Sequence, residues 1–258
     1  MLIMIGEEIL KEIIGIQRKW ITDLDKGIER EKLNEIDIFP NFALIITGIR
    51  RCGKSTILSQ ILSKQDNFYY LNLEDPKIYG FELKDFNKLE KIFSDVYGSG
   101  GVYFFDEIQN VDRWEIFVRY LVDKKNKVVL TGSNASLISR ELGMKLTGRH
   151  LDAQLFPFSY NEFLKLLNIK PSRDSYEEFL FKGGFPEFLK TDNPEVLNVL
   201  LSDTIMRDIV NRYGLRNSSI VKKIAVYLIS HVGNEFSFNS LRKTFQIKSV
   251  QSVIDYIS

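Results

Sequence analysis

Residues 48–56 read GIRRCGKST, a spacing of two glycines that lets a loop curl around an anion. Gly48 and Gly53 free the backbone to point its N–H groups inward at phosphate oxygens. Lys54 would reach the outer phosphates of a nucleoside triphosphate, and the Ser55 hydroxyl would bind Mg²⁺. The predicted phosphate-contacting set is the whole segment: Gly48, Ile49, Arg50, Arg51, Cys52, Gly53, Lys54, Ser55 and Thr56.

The surroundings of this segment separate a working site from a chance glycine-rich turn. The apolar, β-branched run FALIITG (42–48) precedes it and predicts a buried strand. KSTILSQILSKQ follows with helical periodicity, so the loop would lie between a strand and a helix N-terminus, whose partial positive charge favours phosphate. This is the context that the motif requires, and a strand–turn–helix without ligand is the disfavoured alternative.

A second chemical element is VYFFDEIQ, in which four apolar residues lead to two adjacent carboxylates. The pattern places Asp106 at the carboxyl edge of a sheet, where open α/β sheets bind ligands. Asp106 would hold the Mg²⁺ shell, and Glu107 would orient or deprotonate an attacking water. The alternative, two solvated carboxylates at a strand end, is disfavoured by the buried run before them.

A third element, TGSN, ends the apolar run 127–132. Ser133 or Asn134 could sense the γ-phosphate and position the same water, with Asn134 favoured. Polar residues at a strand-to-loop junction are also ordinary turn chemistry, so both interpretations stay open here.

Apolar strands that alternate with helices predict a parallel sheet covered on both faces. The strand-like runs are 42–48, 68–75, 100–109, 127–134 and 149–157. Helical patterns occupy 83–97, 113–124 and 135–146, and an amphipathic helix is predicted from Glu7 to Lys32. After Pro157 the patterns are helical, and the last part of the chain is similar to the three-helix core of a winged-helix domain.

Composition excludes several classes. Thirty-five Lys and Arg against 34 Asp and Glu leave a net charge of +1, so contact with nucleic acid or membrane would need a local patch. The single cysteine excludes an intrachain disulfide and fits a reducing compartment. The opening MLIMI is too short for a signal-peptide core or a membrane span, and we predict a cytoplasmic protein.

The three chemical elements in this order look like an additional-strand P-loop ATPase of the AAA type. With GIRRCGKST, FFDEIQNV, LTGSN, LTGR, FPFSYNEF and GGFPE together, the chain resembles an archaeal and bacterial family of uncharacterised ATP-binding proteins. The resemblance implies an α/β core (1–158) with five parallel strands in the order 5-1-4-3-2. A helical lid (159–216) and a winged-helix-like segment (217–258) would follow. Because that family often has a further C-terminal domain, we expect this chain to be a fragment.

The resemblance also suggests roles for arginines. Arg149, in LTGRH, would be a finger that completes a neighbouring subunit's site, and its alternative is a surface arginine paired with an acid. Arg207 and Arg212 could reach the nucleotide from the lid. At helical spacing they could equally pair with Asp203 and Asp208.

The leading hypothesis is a Mg²⁺-dependent ATPase with Glu107, Lys54, Asn134 and Arg149 in catalysis. ATP is favoured over GTP because no Asn-Lys-x-Asp follows a late strand. One alternative is a switch that binds ATP with negligible turnover. A P-loop kinase lacks support because no arginine-rich phosphate lid follows the core. Candidate partners are a second copy of the chain, or a protein or DNA at the winged-helix-like end. Its few basic residues (Arg242, Lys243, Lys248) make DNA the lesser hypothesis.

Overall fold

The computed structural model describes residues 5–133, 146, 148–211, 214–215 and 217–257. The chain divides into two compact units, with the first ending at Thr191 and the second beginning at Asp192. The domain boundaries predicted from the sequence, after residues 158 and 216, stay predictions. Among the described residues, no helix combines the length and apolar character that crossing a bilayer requires.

The first unit is built on five parallel strands that pair in the order β2-β3-β4-β1-β5. They are β1 (Ala43–Gly48), β2 (Phe68–Asn72), β3 (Val102–Asp106), β4 (Val128–Ser133) and β5 (His150–Gln154). The predicted strand order 5-1-4-3-2 is therefore confirmed, as is the α/β P-loop class of the core. Each predicted strand exists, with its ends trimmed by a few residues.

Helices and helical turns connect the strands and continue after them. In chain order the α-helices are α1 (Glu7–Asp23), α2 (Lys54–Leu62), α3 (Phe86–Tyr97), α4 (Trp114–Asp123), α5 (Tyr160–Leu167), α6 (Arg173–Lys182), α7 (Pro186–Thr191), α8 (Glu195–Asp203), α9 (Ser218–Ser230), α10 (Phe238–Thr244) and α11 (Val250–Ile257). Short 3₁₀ turns lie at Glu31–Glu35, Pro76–Ile78, Leu83–Asp85 and Ile108–Asn110, and a π-helix spans Thr204–Asn211. Most of the helix predicted at 135–146 lies outside the described residues.

The sheet is covered on both faces, as the apolar strands predict. Along β1, Ala43 and Ile45 belong to one core, whereas Leu44 and Ile46 belong to the other, because successive side chains of a strand point to opposite faces. Helices α1, α3 and α4 contribute to the first core, and α2 together with Ile21 of α1 contributes to the second.

The first helix covers the β2 edge of the sheet and ends earlier than predicted. The Gln17 side chain accepts the Asn72 N–H at 2.8 Å and donates to the Asn72 carbonyl at 3.2 Å. The helix predicted to reach Lys32 stops at Asp23. Beyond it, Gly27 takes a φ of +52°, and the Gln60 side chain binds the backbone of the segment from Lys26 to Arg30. Contacts with α2 therefore replace the helical hydrogen bonds there.

The second unit is helical. Helices α9, α10 and α11 share a small core that contains Ile224, Leu241, Ile247 and Val253. Three packed helices are present as the sequence predicts, and their assignment as a winged helix stays a prediction.

Candidate nucleotide site

The glycine-rich loop lies between the carboxyl end of β1 and the start of α2, as its flanking sequence predicts. Gly53 takes a φ of +100°, a left-handed conformation that favours glycine, and α2 begins at the next residue. Gly48 is equally constrained, because a Cβ there would lie 2.6 Å from both the Cys52 sulfur and the Leu155 carbonyl oxygen. The loop backbone is thus folded tightly at the N-terminus of a helix, where anions are stabilised.

Lys54 is buried beneath this loop and faces the acidic pair. Its Nζ donates to the Gly48 carbonyl at 3.0 Å and lies 3.4 Å from that of Ile49. Glu107 Oε1 is 3.8 Å from the same nitrogen. The structure therefore brings together two residues that are far apart in sequence, the lysine predicted to reach the phosphates and the glutamate predicted to activate water.

Asp106 is the most enclosed carboxylate of the site. Tyr70 donates to its Oδ2 at 3.2 Å, and Thr131 donates to its Oδ1 through a very short hydrogen bond. Burial raises the pKa of Asp106, and the hydrogen bond from Thr131 opposes that effect. Burial likewise raises the pKa of the Tyr70 phenol, with the Asp106 charge adding to it. Each carboxylate oxygen keeps a second lone pair, so both remain able to accept a further hydrogen bond.

Glu107 follows in a strained conformation. Its φ of 52° and ψ of 49° lie in the left-handed region. For a non-glycine residue this conformation costs about 1–3 kcal/mol, and residues that adopt it cluster at functional sites. The Thr131 hydroxyl accepts its backbone N–H at 3.2 Å, and Gln109 donates to its Oε2. The carboxylate is thereby held toward Lys54.

Two residues of this cluster were not singled out from the sequence. Thr131 and Tyr70 stand in the neighbouring strands beside Asp106, where most side chains are apolar. A polar group inside an otherwise apolar strand was the feature by which the sequence could have indicated them. Within TGSN the sequence favoured the last residue, Asn134. In the structure the first residue, Thr131, donates to the Asp106 carboxylate and accepts the backbone N–H of Glu107.

The middle of the loop carries two arginines with acidic partners. Arg50 Nη1 lies 3.6 Å from Glu74 Oε1, and Arg51 Nη1 lies 2.9 Å from Glu187 Oε2. Glu187 belongs to GGFPE, which the sequence predicts as a tight turn between helices. The turn is present, since Gly183 ends α6 with a φ of +72°. Its contact with the loop was not predicted.

Cys52, the remaining side chain in the middle of the loop, is fully buried. Burial raises the pKa of its thiol, so the protonated form is favoured. The residue fills the core below the loop while its backbone belongs to the predicted cradle.

The predicted finger, Arg149, lies at the opposite edge of the sheet. Its carbonyl accepts the N–H of Ala43, the first residue of β1, and its guanidinium pairs closely with Asp123. The length of β1, roughly 16 Å from the rise per residue, separates that edge from the loop. Arg149 therefore does not join this chain's own site, and its role toward a neighbouring copy stays a prediction. Asn134 and the side chain of Ser133 lie outside the described residues.

The arginines predicted for the lid are only partly described. Arg207 lies in the π-helix. Arg212 and the side chain of Asp208 lie outside the described part of the chain. The predicted pairing of these residues, and their reach to a nucleotide, stay predictions.

The donor set suits Mg²⁺ with few protein ligands. Ser55, in the first turn of α2, and Asp106 offer the hard oxygen atoms that Mg²⁺ prefers. Within the described ranges no group of three or more His, Cys, Asp and Glu side chains is placed to hold a metal ion. A Mg²⁺ ion here would therefore take its other ligands from phosphate or water.

The loop, the carboxylate pair and the strand order coincide with a sequence match. Residues 40–164 match a family model described as an AAA domain. The chain contains an AAA domain. Residues 173–258 match a second model, described as a domain of unknown function. The glycine-rich loop and the acidic pair both fall within the AAA domain.

Relatives of this chain occur in archaea and bacteria. An uncharacterized protein of Methanocaldococcus jannaschii is 34% identical over 275 residues, covering 98% of this chain and 62% of the relative. An uncharacterized protein of Haemophilus influenzae is 32% identical over 231 residues, covering 81% of this chain and 56% of the relative. The chain thus spans a little over half the length of these curated relatives.

Solved structures show a weaker likeness. AMPPCP-bound DnaA from Aquifex aeolicus has a TM-score of 0.38 and 16% identity, covering 99% of this chain and 88% of that one. A variant of RuvB from Thermotoga maritima has a TM-score of 0.41 and 16% identity, covering 97% of this chain and 85% of that one.

Proposed function

We propose that this protein binds ATP with Mg²⁺ and hydrolyses it to ADP and phosphate. The observation that carries this proposal is the approach of Lys54 Nζ to Glu107 Oε1, 3.8 Å, at the carboxyl edge of the sheet. A cation for the β- and γ-phosphates and a base for water lie at one place, next to a loop built for phosphate. The AAA domain supports nucleotide binding and hydrolysis at this position.

Each residue has a role in the proposed reaction. Gly48 to Thr56 cradle the phosphates, Ser55 holds the metal ion, and Asp106 binds its water shell. Mg²⁺, when bound, neutralises charge on the phosphate oxygens. Glu107 accepts a proton from the attacking water, and Asn134 and a neighbouring copy's Arg149 are the proposed assistants.

A second candidate is a switch that binds ATP with negligible turnover. The position of Glu107 favours it, because Gln109 and Lys54 both engage the carboxylate that would have to accept a proton. Turnover requires nucleotide to draw Lys54 away from Glu107. A protein in which that exchange fails would bind ATP without cleaving it.

The proposed consequence of hydrolysis is movement of the helical parts of the chain. The contact of Arg51 with Glu187 supports it, since this ion pair links the phosphate loop to α7. A protein or DNA partner would then be engaged through the winged-helix-like helices, and a second copy of the chain would supply Arg149.

Steady-state phosphate release with Mg-ATP tests the proposal, alongside nucleotide binding. Glu107→Gln should bind ATP and release phosphate at least about 10²-fold more slowly, as expected for loss of a general base. Lys54→Ala should lose binding. Lys64→Ala is the matched control, because this lysine lies beyond α2 and forms an exposed ion pair with Glu29.

The outcomes separate the hypotheses. Phosphate release by the wild type without any acceptor argues against a kinase. Binding without release at any protein concentration favours the switch. Absence of binding by the wild type would overturn both hydrolysis and the switch.

A further inference from the structure

Arg30 lies behind the phosphate loop with its guanidinium almost completely buried. Its Nη1 donates to the Cys52 carbonyl at 2.8 Å, and its Nη2 donates to the Phe156 carbonyl at 2.8 Å. Its Nε donates to Glu162 Oε1 at 2.8 Å. One planar fork therefore joins the loop, the chain after β5 and the start of α5.

The bond to Cys52 fixes the orientation of a peptide group in the loop. In a trans peptide the C=O and the following N–H lie in one plane and point in opposite directions. Because Arg30 holds the Cys52 carbonyl, the Gly53 N–H must point away from Arg30. An amide directed away from the buried guanidinium is available to a phosphate bound by the loop.

Gly53 is also the residue that lets Arg30 approach. A Cβ at Gly53 would lie 2.9 Å from Arg30 Nη1. The second glycine of the motif therefore permits both the left-handed turn of the loop and the contact with the guanidinium.

Glu162 keeps the guanidinium in place. Its carboxylate accepts the backbone N–H groups of Glu31 at 2.8 Å and Ser159 at 2.9 Å, besides the Arg30 bonds. The Phe158 ring lies 4.9 Å from the guanidinium carbon. A buried charge with this many satisfied bonds has one geometry, unlike an exposed arginine.

We infer that Arg30, locked by Glu162, is the positioning residue that holds the phosphate loop in its nucleotide-binding shape. This inference rests on the proposed function for its ligand. Arg30 itself does not touch the reacting atoms, and it acts through the Cys52–Gly53 peptide.

Arg30→Lys tests the inference because it keeps the charge and loses the fork. Two quantities are measured: the Kd for a fluorescent ATP analogue with Mg²⁺, and amide hydrogen exchange of residues 49–56 in nucleotide-free protein. We expect the Kd to rise about tenfold or more and loop exchange to accelerate, as for loss of charge-assisted hydrogen bonds. Arg18→Lys is the matched control, since Arg18 donates to the Phe68 carbonyl at the other edge of the sheet.

Arg18→Lys should change the Kd less than about twofold, the size expected for a distant site. A folded Arg30→Lys with wild-type Kd and wild-type loop exchange would overturn the inference. If Arg30→Lys fails to fold, Glu162→Gln is the variant that tests the inference, because it removes the charge that locks Arg30. It should raise both the Kd and the rate of loop exchange. Absence of nucleotide binding by the wild type would reject the proposed function. The exchange rates would still show whether Arg30 holds the shape of the loop.

Discussion

Arg51 of the phosphate loop forms an ion pair with Glu187 of α7, with 2.9 Å between Nη1 and Oε2. Both side chains are well exposed, so the pair contributes no more than about 1 kcal/mol to stability. The pair matters for electrostatics, because Arg51 belongs to the loop proposed to bind a highly charged anion and already has a carboxylate partner. Phosphate and Glu187 would compete for the same cation.

Substitutions of the two partners should affect ATP affinity differently. Arg51→Ala removes a positive charge and should weaken binding about tenfold, whereas Glu187→Ala frees the guanidinium and should leave affinity unchanged or raise it. Titration of a fluorescent ATP analogue at low and high salt measures both. Glu177→Ala is the control, since it breaks an equally short exposed pair within α6. Equal weakening by Arg51→Ala and Glu187→Ala would contradict this account.

Asp106 makes stability depend on pH in a defined direction. Burial raises the pKa of Asp106 in the folded protein above its unfolded value. The stability that the protonated Asp106 side chain contributes is therefore complete below the unfolded pKa and is lost as pH rises through the folded pKa. Asp106→Asn cannot ionise, so the stability of nucleotide-free Asp106→Asn relative to the wild type should be higher at pH 8 than at acidic pH. The difference should fall as the pH approaches the unfolded pKa of aspartate, about 3.9.

Urea unfolding from about pH 4 to pH 8 in the presence of a chelator measures this difference. Asp66→Asn, at an exposed position before β2, serves as the control and should show little pH-dependent change relative to the wild type. A constant difference between Asp106→Asn and the wild type would show that ionisation of Asp106 does not govern stability.

Gly184 and Gly15 should respond oppositely to alanine. A Cβ at Gly184 would lie 2.2 Å from the Phe158 carbonyl oxygen, and Phe158 donates its N–H to the Gly184 carbonyl at 2.7 Å. Gly184→Ala should therefore destabilise the protein by about 1–3 kcal/mol or more. Gly15, inside α1, has open space, so Gly15→Ala should stabilise by about 0.5–1 kcal/mol. Thermal unfolding of the two variants checks the opposite signs, and a loss of stability in both would point to a different cause.

Local patterns in the sequence were sufficient for the sheet and the centre of the site. Strands β1 to β4 are short and mostly apolar runs, and burial on both faces makes such runs conspicuous, whereas β5 is largely polar and exposed. The loop around Lys54 and the pair at Asp106 and Glu107 were predicted because glycine spacing and adjacent carboxylates are local features. The strand order came from the family resemblance.

Long-range partners were not accessible in this way. Arg30 and Glu162 are 132 positions apart in the sequence, and nothing in the residues around Arg30 indicates a buried guanidinium that joins three segments. The end of α1 at Asp23 was missed for a related reason, since Gln60 on another helix binds the backbone that follows. Pairing of Arg51 with Glu187 likewise depends on tertiary structure.

The cover that α1 provides at β2 has a consequence for behaviour in solution. An uncovered outer strand offers unpaired backbone groups on which another chain can continue the hydrogen-bonding pattern. At Asn72 the carboxamide of Gln17 occupies both the donor and the acceptor, as a neighbouring strand would. An added strand would therefore have to displace both hydrogen bonds of this glutamine before it could pair with Asn72.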